Sequence, residues 1–161
     1  MIAMRKRIKI SLHPVFTLIS SIYLLSFFTY GVKSLKSLIM SGYSQTEIFG
    51  LILSILAISI FAYLALVRYR TIEIYSDHYL LKSIVATRRI DFNEIHTIKK
   101  VPLNFFHLRL GSVGLMGVIS FTSKPEHYNV SDLGNTIRIA LKSNEILHIS
   151  CDKPEELIQS V

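Results

Sequence analysis

The chain has 161 residues, half of them hydrophobic, and its mean hydropathy is +0.43. A soluble domain of this length rarely carries so much apolar mass, so the composition points to a membrane protein. The formal net charge is +7, and all of it lies in residues 1–70, whereas residues 71–161 contain ten basic and ten acidic residues. A neutral second half lacks the basic footprint of a nucleic-acid-binding domain. The single cysteine, Cys151, excludes a disulfide within the chain and a cysteine-based metal cluster.

Two uncharged, apolar runs occupy residues 10–32 and 48–67. The first run would form a helix about 35 Å long, which exceeds the thickness of a hydrocarbon core. The second is apolar on every face, which a surface helix would not be. Buried helices of a soluble core and, for the first run, a cleaved signal peptide are the weaker alternatives. We therefore predict a basic N-terminus over residues 1–13 and a transmembrane hairpin over 14–67, with spans at about 14–34 and 48–67.

The distribution of basic residues predicts the orientation of this hairpin. Four basic residues precede the first span and two follow the second: Arg5, Lys6, Arg7, Lys9, Arg68 and Arg70. Lys33 and Lys36 lie in the connector and oppose this assignment, although long lysine side chains at the end of a span can reach the interface. Both termini are expected on the cytoplasmic side.

The pattern changes to period-two alternation after the second span, which is typical of half-buried strands. The clearest alternating runs are residues 71–75, 79–85, 88–92, 96–101, 117–123, 136–142 and 146–150. Asp152 and Glu155 have the spacing of a capping box and predict a short C-terminal helix. Residues 71–161 are thus expected to form an all-β domain of about seven strands closed by one helix.

This order resembles the pleckstrin-homology (PH) superfold, and the chain resembles bacterial membrane proteins that carry a PH-like domain after two N-terminal transmembrane helices. The resemblance rests on residues 72–74 with 79–81, on 89–95, on the glycine-spaced stretch 111–117 and on the ending 149–158. It implies a strongly bent antiparallel sheet plugged by a C-terminal helix. It further implies a cytoplasmic domain at the bacterial inner membrane that binds proteins or lipids, with no catalytic residues to assign.

No pattern in the sequence indicates catalysis, a cofactor or a metal site. Gly111, Gly114 and Gly117 lack the spacing of a phosphate-binding loop. The six histidines stand singly, and His148 beside Cys151 lacks a third ligand or an orienting group. We predict a protein that is not an enzyme, with no cofactor, no small-molecule substrate and no nucleic acid as a partner.

Two groups of residues are candidates for binding. The first group is Lys82, Arg88 and Arg89, whose cationic side chains can bind phosphate, so they are candidates for a lipid-binding face. Adjacent arginines on a strand, however, point to opposite faces. Phe105 and Phe106 form an aromatic segment that would mark a partner site if it were exposed. The leading hypothesis is a membrane-anchored domain that binds a protein partner or a second copy of itself. The alternative is a sensor of anionic lipid headgroups that uses Lys82, Arg88 and Arg89.

Overall fold

A computed structural model of the protein describes residues 4–41, 44–103, 112–113, 118–120 and 125–160. Three α-helices lie in these ranges: α1 (Pro14–Ser41), α2 (Gln45–Val67) and α3 (Pro154–Ile158). The strands are β1 (Lys6–Lys9), β2 (Thr71–Ile74), β3 (His78–Lys82), β4 (Thr87–Asp91), β5 (Ile95–Lys100), β6 (Ser112–Val113), β7 (Val118–Ser120), β8 (Glu126–Val130), β9 (Thr136–Leu141) and β10 (Ile146–Ser150). A 3₁₀ turn, Phe92–Glu94, joins β4 to β5.

Helices α1 and α2 occupy the two predicted apolar runs, and both are long and apolar enough to cross a bilayer. Helix α1 begins at Pro14, where proline is favoured because the first helical N–H has no partner within the helix. It continues to Ser41, well past the predicted end of the span near residue 34. Lysine is a good helix former, so Lys33 and Lys36 do not end the helix.

Small residues bring α1 and α2 into close contact in the half of the hairpin nearer the connection between the two helices. A Cβ atom added to Gly50 would lie 2.8 Å from the Ser34 hydroxyl, and one added to Gly31 would lie 3.0 Å from Cβ of Ser54. Ser34 and Ser54 are both buried. Small side chains at such positions let two helix backbones approach each other, which is how helices commonly pack in membranes.

The basic segment before α1 contains a strand that belongs to the C-terminal domain. Strand β1 pairs antiparallel with β2, with Arg7 opposite Glu73 and Ile8 opposite Ile72. The helical hairpin is therefore inserted between two neighbouring strands of one sheet. Consequently, the N-terminal segment and the C-terminal domain lie at the same end of the hairpin.

Two sheets make up the domain, in the orders β1-β2-β3-β4 and β5-β9-β10-β8-β7-β6. The prediction of a β domain with a short C-terminal helix is confirmed in this outline. The described residues contain ten strands, however, and β8 runs parallel to β10, so the sheets are not purely antiparallel. The predicted strand over 79–85 ends earlier, at Lys82, because Ser83 and Ala86 close a tight turn.

Alternating residues of the two sheets form one hydrophobic core. The four-stranded sheet contributes Ile8, Ile72, Ile74, Tyr79, Leu81 and Ile90, and the six-stranded sheet contributes Ile137, Ile139, Leu141, Leu147 and Ile149. Two packed sheets usually stabilise each other in this way, because the inward-facing side chains of each sheet are removed from water by those of the other. Leu157 of α3 is fully buried in the same core.

A buried hydroxyl fixes α3 against this core. The Tyr79 hydroxyl donates to the carbonyl oxygen of Leu157 at 2.7 Å. The predicted capping box is wrong, since Lys153 is the N-cap residue and has no side-chain capping bond. The Asp152 carboxylate instead accepts bonds from the backbone N–H and the hydroxyl of Ser11, at 2.8 and 2.7 Å. It thereby ties the entrance of α1 to the end of β10.

Candidate functional site

Lys82, Arg88 and Arg89 lie on the β3–β4 hairpin, and the register of this hairpin separates them. Arg88 is opposite Leu81, which faces the core, whereas Arg89 is opposite Leu80 on the other face. Lys82 lies two residues from Leu80 on β3 and so shares the face of Arg89. The three cations therefore do not form one continuous basic face.

Each of these three cations is already paired with a carboxylate. The Lys82 ammonium lies 2.8 Å from Oε2 of Glu73, which is buried. Hydrogen bonding from Lys82 lowers the pKa of Glu73. Since Glu73 remains ionised in a buried position, Lys82 is needed there to balance its charge.

The two arginines bind acids on opposite faces of β4. Arg88 donates to Oε1 of Glu145 at 2.6 Å. Arg89 donates from Nε to Asp91 at 2.7 Å and from Nη2 to Asp77 at 3.3 Å. An incoming phosphate would have to replace these carboxylates, which weakens the case for a headgroup site at this position.

Arg88 and Arg89 also line a cavity of about 400 Å³, which we call the β4 cleft. Its lining residues are Arg88, Arg89, Asn93, Glu94, Leu141, Lys142, Ser143 and Glu145. It lies beside β4, the edge strand of the four-stranded sheet, and is bounded on its other side by the β9–β10 turn. Its lining includes three basic and two acidic side chains, so it offers both donors and acceptors to a ligand of mixed charge.

A second cavity, of about 250 Å³, lies between the end of α2 and strands β8 and β10, and we call it the junction cavity. Its lining residues include Tyr63, Val67, Tyr69, Arg88, His127, Tyr128 and His148. His148 lies opposite Tyr128 in the parallel β8–β10 pair, and their rings stack with centroids 4.5 Å apart. Among the described residues, no hydrogen-bond partner reaches the buried Nδ1 atom of His148.

Burial lowers the pKa of His148, and the neighbouring positive charge of Arg138 lowers it further against the opposing effect of Glu126. The imidazole is thus favoured in its neutral form, with one nitrogen available to donate or accept a bond. This cavity is not predictable from the sequence, because β8 is polar and irregular in pattern. In the sequence, His127 and Tyr128 are two adjacent residues in a polar segment. They indicate a possible binding cavity only once β8 is known to lie beside β10.

Phe105 and Phe106, the predicted partner-binding residues, lie outside the described residues. Their neighbour Leu103 is buried and packs in a small cluster with Val130, Tyr128 and Leu133. The glycine-spaced stretch also lies largely outside the described residues.

Asp77, His78 and Asp91 bring three possible metal-ligand atoms within 4.8 Å of one another. Nδ1 of His78 lies 2.7 Å from Oδ1 of Asp77, and Arg89 binds both carboxylates. The guanidinium therefore already supplies the positive charge that a cation would bring.

Cys151 and His148, which are close in sequence, do not have the properties of a nucleophilic pair. Burial raises the pKa of the Cys151 thiol to about 12. Because the thiolate is the nucleophilic form, a thiol held protonated is a poor nucleophile. Cys151 instead lies in the hydrophobic core that also contains Leu157.

A comparison of the chain with models of protein families, with curated proteins and with solved structures finds no match.

Proposed function

We propose that the chain is a non-enzymatic integral membrane protein whose β domain binds a partner protein, or a second copy of itself, at the cytoplasmic surface of a bacterial inner membrane. The observation that carries this proposal is the insertion of the hairpin between β1 and β2. The backbone N–H of Ile10 donates to the carbonyl oxygen of Arg70 at 2.9 Å, so both connections to the hairpin begin in the sheet itself.

These connections hold the domain in one orientation on its anchor. Residues 10–13 join β1 to α1, and residues 68–70 join α2 to β2. Further bonds fasten both: His13 N–H donates to Ser131 O at 3.0 Å, and Tyr69 N–H donates to Oδ1 of Asn129 at 3.2 Å. A domain held in this way presents the same surfaces to every membrane-bound partner, at a raised effective concentration.

The distribution of charge supports the cytoplasmic side. The four basic residues of the N-terminal segment and the two that follow α2 all lie at the domain end of the hairpin, as the pairing of β1 with β2 requires. Basic residues that flank spans favour the cytoplasmic side of the membrane. Two spans with both termini in the cytoplasm are consistent with the organisation of the PH-like membrane proteins that the sequence resembles.

The β4 cleft is the surface that fits a protein partner best. Its mixed charges suit a polypeptide segment, which carries backbone donors and acceptors as well as charged side chains. The edge position of β4 adds backbone groups that a partner strand can contact. The alternative function, sensing of anionic lipid through Lys82, Arg88 and Arg89, would require a headgroup to displace the carboxylates of Glu73, Glu145 and Asp91.

Photocrosslinking of the full chain in its own membrane tests this proposal. A photoreactive amino acid is placed at Asn93, which is exposed in the β4 cleft. The control position is Lys153, which is exposed just after β10, at the end of that strand away from the cleft residue Glu145. We expect a protease-sensitive adduct of discrete mass from position 93 and none from position 153. Adducts at position 93 that contain only lipid would favour the headgroup sensor, and equal protein adducts at both positions would contradict a partner site in the cleft.

A further inference from the structure

The β3–β4 turn carries two large aliphatic side chains in the open. Ile84 and Val85 are 54% and 59% exposed, respectively. The turn itself is closed by its neighbours, since the Ser83 hydroxyl accepts from the Ala86 N–H at 2.9 Å and donates to the Ala86 carbonyl oxygen at 3.0 Å. Tight turns favour glycine, asparagine, aspartate and serine at exposed positions. Turn formation therefore does not explain isoleucine and valine at the tip.

This turn is bonded to the end of the second span. The Ile84 N–H donates to the carbonyl oxygen of Leu66 at 3.2 Å. Leu66 lies in the last turn of α2, and Arg68, the first charged residue after the span, follows two positions later. Because a helix rises about 1.5 Å per residue, the turn lies at nearly the same depth as the last apolar residues of α2.

The surface of α2 next to this turn has the composition of a membrane interface. Leu66 and Tyr63 are both exposed on the described structure. Tyrosine is favoured at the boundary between hydrocarbon and headgroups because its ring is apolar and its hydroxyl is polar. Through the bond between Ile84 and Leu66, the exposed apolar surface at the end of α2 adjoins the turn that carries Ile84 and Val85.

We propose that Ile84 and Val85 insert into the bilayer interface as a third membrane contact of the domain, beside the two spans. These two side chains would contact the acyl and glycerol region of the lipids in the cytoplasmic leaflet. Burial of two aliphatic side chains in that region is favourable, since it removes apolar area from water. The contact would add to the two connections that orient the domain on the hairpin, and would hold the β3–β4 end of the four-stranded sheet at the membrane surface. This inference rests on the proposed function, because it requires α1 and α2 to be inserted.

Spin labelling of the full chain in phosphatidylcholine nanodiscs tests it. A nitroxide is attached to a cysteine introduced by Val85→Cys. The control is Ser76→Cys, in the exposed β2–β3 turn at the opposite end of β3, about 17 Å away. Cys151 is buried, with its pKa raised to about 12, so the unsubstituted chain should take up little label.

The measurement is the ratio of nitroxide accessibility to oxygen, which partitions into the bilayer, to accessibility to a water-soluble nickel chelate. A third label at Leu53→Cys, exposed near the middle of α2, reports whether the span is inserted. We expect ratios at positions 85 and 53 that both lie well above the ratio at 76. A low ratio at 85 with a high ratio at 53 would overturn the inference alone, whereas a low ratio at 53 would overturn the membrane anchor itself.

Discussion

Ile8 lies directly opposite Ile72 in adjacent strands, although the whole helical hairpin separates them along the chain. Both side chains are buried in the core that the two sheets share. The four-stranded sheet therefore cannot be completed from the residues after the hairpin alone. The helical hairpin and the β domain form one folding unit, with the hairpin emerging from between two strands.

We expect the fragment 71–161 to lack a stable fold. It would lose Ile8 and Ile10 from the core, and each buried isoleucine contributes about 1.5–3 kcal/mol. A loss of that size is a large share of the stability of a typical domain. A chain in which residues 13–67 are replaced by a Gly-Ser linker of about four residues should fold, because Ile10 and Arg70 are already hydrogen-bonded neighbours.

The amide NMR spectra of the two proteins check this prediction. The linked protein should give a dispersed spectrum with slowly exchanging amides in β2 and β9, and the fragment 71–161 should give a collapsed one. A well-dispersed spectrum from the fragment would show that β1 is dispensable for folding.

The pairing of β1 with β2 also shows which parts of the fold can be predicted from the sequence and which cannot. The two long apolar helices and the strands of the β3–β4 and β9–β10 hairpins were predictable, because local periodicity and composition determine them. Residues 6–9 resemble a basic tail, since the strand has four residues and only Ile8 is apolar. Its partner lies beyond the hairpin, and no local pattern indicates a pairing at that separation.

The candidate site was predictable only in part, for a related reason. Arg88 and Arg89 were identified from their charge, and their opposite faces followed from strand geometry. Their acidic partners come from distant turns: Glu145 lies in the β9–β10 turn and Asp77 in the β2–β3 turn. Whether a basic residue is free or paired depends on such contacts, which the order of residues does not reveal.

Replacing Lys82 with methionine should destabilise the domain, irrespective of any lipid. The substitution leaves the buried Glu73 carboxylate without its closest cation, at an expected cost of about 1–3 kcal/mol. The double variant Lys82→Met with Glu73→Gln should recover part of this loss. Thermal unfolding of the full chain in detergent, followed by circular dichroism, measures both. Lys100→Met, which removes an exposed pair with Glu155, is the control and should change stability by less than about 1 kcal/mol.

The ion pair between Lys82 and Glu73 also predicts how the stability of the domain depends on pH. Lys82 holds the pKa of Glu73 below its ordinary value. As the pH falls, the Glu73 carboxylate takes up a proton in the unfolded state before it does so in the folded state. The stabilisation is therefore fully present above the ordinary glutamate pKa, and it is lost as the pH falls through the lowered pKa of the folded state. Lys82→Met should flatten this part of the profile of melting temperature against pH. An unchanged acid profile in the variant would show that Lys82 does not set the protonation of Glu73.

Tyr79 predicts that the domain loses stability at high pH. Burial raises its pKa from 10.0 to about 12. Above pH 10 the unfolded state loses the phenolic proton while the folded state keeps it, so stability should fall as the pH rises through this range. Tyr79→Phe should remove this contribution, and should also lower stability at neutral pH by about 1 kcal/mol through loss of the bond to Leu157.

Ser160→Ala provides the comparison for Tyr79. The Ser160 hydroxyl lies 2.9 Å from the Tyr79 hydroxyl, so this variant removes a partner of Tyr79 and leaves the phenol in place. It should lower stability at neutral pH and retain the alkaline decline. If Tyr79→Phe and Ser160→Ala gave the same slope between pH 10 and pH 12, the decline would have to come from other groups.

Gly50→Val should overpack the contact between the two helices of the hairpin. A Cβ atom at this position would lie 2.8 Å from Oγ of Ser34 and 2.9 Å from Cε1 of Tyr30, closer than these atoms can pack. Because Ser34 is buried at the contact, room for the valine requires Ser34 and Tyr30 to turn aside or the helices to move apart, and such overpacking costs about 1–3 kcal/mol. The matched control is Ser59→Val, which places the same side chain at an exposed position of the same helix. In detergent, Gly50→Val should lower the melting temperature of the full chain and Ser59→Val should leave it nearly unchanged. Equal effects of the two variants would indicate that the close approach at Gly50 does not hold the hairpin together.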